Sequence, residues 1–192
     1  DMKTTGPILI IIAALLWAFD GLIRQHLYTL PPITIIFFEH LIGLLILTPF
    51  IYKNVLVSRP TKREWWLIVL VAGLSGLLGT LWFTTALGKV HYISISVVFL
   101  LQKLQPIFAI STASIFLKEK FDTRYITWAV LAIVSAYFVT FANGHVNLDT
   151  GEGTMIAALY ALGAAFAWGS STTFSKMLLT NIDSKVSTFY RF

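Results

Sequence analysis

The chain of 192 residues contains no cysteine, so it can hold no disulfide framework and no cysteine-ligated zinc or iron–sulfur site. Charge is also scarce: only 12% of residues are Asp, Glu, Lys or Arg, against roughly a quarter in an ordinary soluble domain. A water-covered globular surface of the usual kind is therefore not expected. Enzyme signatures are missing too. There is no glutamate flanked by two histidines in the metalloprotease manner, no phosphate-binding glycine loop ending in lysine, and no nucleophile elbow. His26, His40, His91 and His145 are scattered along the chain, so neither a metal nor a cofactor is expected.

What the chain has in place of charge is apolar length. Hydrophobic residues make up 57% and the mean hydropathy is +0.79. Runs of about 20 such residues cross the hydrocarbon core as helices, and the pattern predicts an all-α membrane protein, a helical bundle of about six and a half spans. The spans are predicted at Pro7–Tyr28, Ile33–Tyr52, Glu64–Leu87, Tyr92–Leu117, Tyr125–Phe141 and Gly153–Leu178, with a seventh beginning near Ser184. Pro31 and Pro32 separate the first pair, because proline cannot donate a helix hydrogen bond and disfavours helix in the residue before it. Gly88, Lys89, Val90 and His91 form a very short third connector, which predicts a tight hairpin of spans three and four. The polar residues 144–152 mark the boundary between a first unit, 1–143, and a second, 153–192.

The net charge of +5 comes from short connectors, not from one basic face, so no nucleic-acid partner is expected. The second connector carries Lys53, Arg59, Lys62 and Arg63, and the fourth carries Lys118, Lys120 and Arg124. The third has only Lys89, and the fifth has Asp149 and Glu152 with no basic residue. Positive charge stays on the cytoplasmic side, so the amino terminus is predicted inside and residues 144–152 outside. The first span is too long for a signal peptide, and it contains Asp20 and Arg24.

Those intramembrane charges are the candidate site, since an ionisable group in a span must face water, cargo or a partner. Trp17, Asp20 and Arg24 share one face of the first helix by their spacing of three and four. Two readings stand: a cavity-lining stripe, or an Asp20–Arg24 pair within one helix with Arg24 snorkelling outward. Glu39 is a candidate proton-coupling group, with Asp20 and His40 as alternates. The bland alternative is a fixed Glu39–Lys103 ion pair. Gln102, Lys103 and Gln105 precede Pro106, which cannot bond the Gln102 carbonyl and should kink the fourth span. Trp82 shares a face with Ser75 and Gly79 that could border the cavity, while Gly73, Gly76 and Gly79 are read as close-packing positions.

The two halves echo one another. Trp17, Ala18, Phe19 and Asp20 match Trp168, Gly169, Ser170 and Ser171, and Phe37 to His40 match Phe189 to Phe192. Five spans separate the copies, and an odd number inverts the second copy, as in many secondary transporters. In the second half Trp168, Ser171 and Ser175 repeat the stripe without charge.

In its opening Leu15-Leu16-Trp17-Ala18-Phe19, the turn Leu30-Pro31-Pro32-Ile33-Thr34, and Ala86 to Ser94, the chain resembles the EamA-type branch of the drug/metabolite transporter superfamily. Leu104 to Phe108, Phe116 to Phe121 and Phe189 to Phe192 extend the resemblance over almost its whole length. The resemblance implies a ten-helix carrier of two inverted five-helix repeats with both termini cytoplasmic, of which this sequence holds the first repeat and part of the second. Arg191 resembles the arginine of the family's seventh span. The family commonly has an arginine where this chain has Glu39-His40, so cavity charge does not transfer by analogy. The expectation is a secondary transporter in the inner membrane of a bacterium or archaeon, moving a small metabolite or amino-acid-like solute outward by alternating access. Its substrate-binding residues are Trp17, Asp20, Glu39, Trp82, Gln102, Lys103 and Gln105, with Arg24 and Arg191 as gates or charge partners. Its partners are the small solute and the bilayer, and the sequence fixes no oligomeric state. Two alternatives stand beside it: a membrane enzyme using Asp20, Glu39 and His40 on a lipid-borne substrate, and a truncated helical subunit without activity of its own.

Overall fold

The computed structural model describes residues 2–89, 95–140 and 154–192. The predicted connector 144–152 and the hairpin residues Val90 to Ser94 lie outside them.

Among the described residues the elements are helices joined by short turns, with no strand. Helix α1 spans Met2–Gln25 and α2 spans Pro32–Val57. Pro31 is extended and Pro32 opens α2, so the proline pair acts as the predicted break, at the helix position where a missing N–H costs nothing. Helix α3 runs over Lys62–Gly88. Its start is fixed by a capping box in which the Thr61 amide donates to Glu64 and the Glu64 amide donates back to the Thr61 hydroxyl. Helix α4 covers Ile95–Leu117, α5 Thr123–Thr140 and α6 Thr154–Leu179. The short α7, Ser184–Arg191, is capped by Asp183, whose carboxylate accepts from the Lys185 amide.

Helices α1 to α4 and α6 are long and apolar enough to cross a membrane, whereas the apolar stretch of α5, Thr123–Ser135, is shorter. The first predicted span ends three residues early, because His26, Leu27 and Leu30 bond three residues back and tighten into a turn.

Two helices depart from regular geometry where it matters. In α3 the stretch Ala72–Gly79 widens to π-helical turns, which lengthens the hydrogen-bond step to five residues. The glycines there allow close approach. A Cβ on Gly76 would lie 2.6 Å from the Arg191 carbonyl oxygen, and one on Gly79 would lie 2.5 Å from the Trp168 indole. In α4 the amides of Leu104 and Ile107 bond three residues back, so the helix breaks at Lys103 and Leu104 and resumes at Gln105. Pro106 is the physical cause, as predicted.

Helix α6 is the packing hub. Ala157, Ala161, Ala164 and Trp168 recur at helical spacing, all buried, and meet Phe83, Leu87, Val97 and Val98 of α3 and α4. A second cluster joins Ile68 of α3 to Leu178, Ile182 and Val186 near the opposite end. Helices α1 and α2 leave most of their surface exposed.

Candidate functional site

A cavity of about 530 Å³ lies where α1, α2, α3, α4, α6 and α7 meet. Its volume is within the roughly 300–1,000 Å³ usual for small-molecule sites. Helix α1 contributes Trp17, Asp20 and Arg24, α2 contributes Glu39 and His40, and α4 contributes Gln105. From α6 come Trp168, Ser171 and Ser175, and from α7 comes Arg191. The two echoed stripes, five spans apart in the sequence, thus converge on one space.

Arg24 organises one end of it. Its Nε and Nη2 donate to the Asp20 carboxylate at 3.2 and 2.9 Å, while Nη1 donates to Glu39 Oε2 and Thr84 Oγ1, both at 3.0 Å. The guanidinium is buried and does not snorkel, because three helices supply acceptors for it. The cation facing Glu39 is therefore Arg24, and no Glu39–Lys103 ion pair occurs among the described residues. His40, one residue on, turns aside as its 100° rotation requires, and its Nδ1 donates to the Ile36 carbonyl at 2.9 Å.

Aromatic rings form the middle of the cavity. Trp17 meets Trp168 edge-on at 5.4 Å between centroids, and Trp168 lies 5.2 Å from Phe83. The Trp168 indole N–H donates to the Ser75 carbonyl at 3.0 Å, and the Thr80 hydroxyl donates to the same oxygen at 3.1 Å. The π-helical widening is what opens this carbonyl to a donor from another helix.

Of the predicted binding residues, Trp17, Asp20, Glu39 and Gln105 line the cavity. Trp82, Gln102 and Lys103 do not. The Trp82 ring covers Gly163 on the packed side of α6, Gln102 is buried away from the cavity, and Lys103 is exposed in the break of α4. Arg191 lines the cavity, with its guanidinium 5.6 Å from the Phe192 ring centre. Sequence reasoning missed Thr84 and the Ser75 carbonyl. A signal for the first existed: Thr80 and Thr84 are four apart in an apolar helix and share a face.

No group of three or more histidine, aspartate or glutamate side chains able to hold a metal occurs among the described residues.

Membrane-length helices around a polar cavity define a multi-span membrane protein with a solute-sized site. The chain belongs to the EamA-like transporter family, whose profile matches residues 4–141. It is similar to the riboflavin transporter ImpX of Fusobacterium nucleatum subsp. nucleatum, with 34% identity over 195 residues, an alignment that covers 100% of this chain and 65% of that relative's length. No solved structure matches the chain.

Proposed function

We propose that the chain forms the binding cavity of a secondary carrier for a small, uncharged aromatic metabolite of the riboflavin kind. The observation that carries this reading is the convergence of the Trp17 and Trp168 stripes on one cavity. Its rings suit a flat heteroaromatic solute, and its full charges balance: Asp20 and Glu39 against Arg24 and Arg191. The kinship with a protein named as a riboflavin transporter supports the same choice.

The proposed cycle is alternating access between two inverted repeats, the first over 1–143 and the second beginning at 153. Lys53 and Arg59 stand beside Asn181 and Asp183, and Lys176 pairs with Glu119, next to Lys118 and Lys120. This gathering of basic connectors at one end of the bundle supports a cytoplasmic amino terminus in an inner membrane. The Arg24 cluster then closes the outer end. In facilitated diffusion net flux follows the gradient, so export is proposed where the cytoplasmic concentration is the higher.

The test is riboflavin's own fluorescence, titrated with the purified chain in detergent. Saturable quenching that weakens about tenfold in Trp17→Ala is expected, given the roughly 1 kcal/mol or more of an aromatic contact. Quenching that never saturates would overturn the reading.

A further inference from the structure

Arg24 is 6% exposed and already bonded on every nitrogen, to Asp20, Glu39 and Thr84. An arginine placed to receive an anionic solute would keep its fork open. Here the fork is closed, and what remains open is the pair of carboxylates in front of it. The side chains of Asp20 and Glu39 are 44% and 38% exposed and line the cavity. Glu39 accepts from Arg24 through Oε2 alone, so Oε1 has no protein donor among the described residues. Thr84, 1% exposed, holds the guanidinium from behind and acts as a positioning residue.

We infer that Asp20 and Glu39, held by Arg24, form a hydrogen-bond-acceptor subsite that reads the hydroxyl groups of the solute, while Trp17 and Trp168 take its ring system. The inference rests on the flavin reading above and adds to it which part of the molecule each wall recognises. Riboflavin carries a flat tricyclic head and a flexible tail of hydroxyl groups. Along α1 the ring contact at Trp17 lies one turn from Asp20 and two turns from Arg24, about 5 and 10 Å. That separation suits a head and a short tail. Arg191 and His40 line the cavity as well, and neither bonds Asp20 or Glu39 among the described residues. Carboxylate acceptors gain charge-assisted hydrogen bonds from hydroxyl donors, and a ligand lacking those donors leaves the site's polar groups unmatched.

The experiment compares riboflavin with lumiflavin, the same ring system bearing a methyl group in place of the hydroxylated chain. Both are titrated by flavin fluorescence against the full chain in detergent. Riboflavin is expected to bind about ten- to a hundredfold more tightly, the gain of one or two hydrogen bonds to charged groups. In Glu39→Ala that gap should shrink to within about threefold, because riboflavin loses more affinity than lumiflavin does. Equal affinity for the two flavins on the unaltered chain overturns the subsite and leaves the flavin reading standing. A gap that survives unchanged in both Glu39→Ala and Asp20→Asn overturns the assignment to these carboxylates. Binding of neither flavin overturns the flavin reading and the subsite together. Should Glu39→Ala fail to fold, Glu39→Gln, which keeps the side chain's shape and removes its charge, makes the same comparison.

Discussion

The stripe on α1 and the stripe on α6 have the same spacing, both begin with tryptophan, and both line the same cavity, yet they are built on opposite physics. On α6 the residues behind the stripe are small: Ala157, Ala161, Ala164 and Ala165 are buried, and Gly163 and Gly169 admit neighbouring helices. That helix is held by close packing, and its cavity face needs only Ser171 and Ser175. Helix α1 is exposed along most of its length, and its tie to α2 and α3 is the Arg24 cluster. Where packing is thin, hydrogen bonds to charge fix the geometry. The charge on α1 and its absence on α6 are thus two solutions to placing a tryptophan and two polar groups beside one cavity.

Five substitutions separate these solutions. The largest effect is expected for Arg24→Leu, which removes the cation that Asp20 and Glu39 both bond. Breaking a fully buried pair costs roughly 3–5 kcal/mol, and the half-exposure of both carboxylates lowers the expectation to about 2–3 kcal/mol. Thermal unfolding of the purified chain measures it, and the loss should be smaller in Arg24→Lys, which keeps the charge. On the packed side, Gly169→Ala places a Cβ 2.5 Å from the Gln105 carbonyl oxygen and 2.8 Å from Phe108. Backbone yields poorly, so a loss of about 2 kcal/mol is expected from overpacking. Trp168→Phe keeps an aromatic ring near Phe83 but removes the donor to Ser75, a loss of about 1 kcal/mol in the same measurement. The smallest change belongs to Gly73→Ala. Nothing lies within 4 Å of the added carbon, so stability should move by no more than about 0.5 kcal/mol although Gly73 sits in the same π-helical stretch as Gly79. A large effect there would mean that the stretch needs glycine for its backbone and not for its neighbours.

These contrasts also explain how far the sequence could be read. Membrane spans were legible because apolar length is a property of the segment alone, and the turn at Pro31-Pro32 because proline acts locally. The Trp17, Asp20 and Arg24 stripe was legible because an unbroken helix keeps residues three and four apart on one face. That the Asp20–Arg24 pair and the cavity face would occur together, with Arg24 turned inward, was not legible, since the acceptors Glu39 and Thr84 lie on other helices. Gln102 and Gln105 mark where helical spacing misleads. Three residues apart, they would share a face in a regular helix, but the tightened turn at Lys103 and Leu104 changes the phase. Only Gln105 reaches the cavity, and Lys103 is left exposed. The π-helical widening at Ala72–Gly79 had glycine as its sole trace in the sequence. The freed Ser75 carbonyl became visible only with its partner, Trp168, in place.

Residues of α1 and α6 are proposed to face one solute. Because the chain has no cysteine, single thiols can be introduced without background. Ala13→Cys on α1 and Ser175→Cys on α6 both place a thiol at the cavity wall, and Lys120→Cys in the exposed connector before α5 serves as the control. The measurement is the rate at which a water-soluble maleimide modifies each position with and without riboflavin. Riboflavin should slow modification at both cavity positions and leave the control unchanged. Slowing at one of the two, or at neither, would contradict the claim.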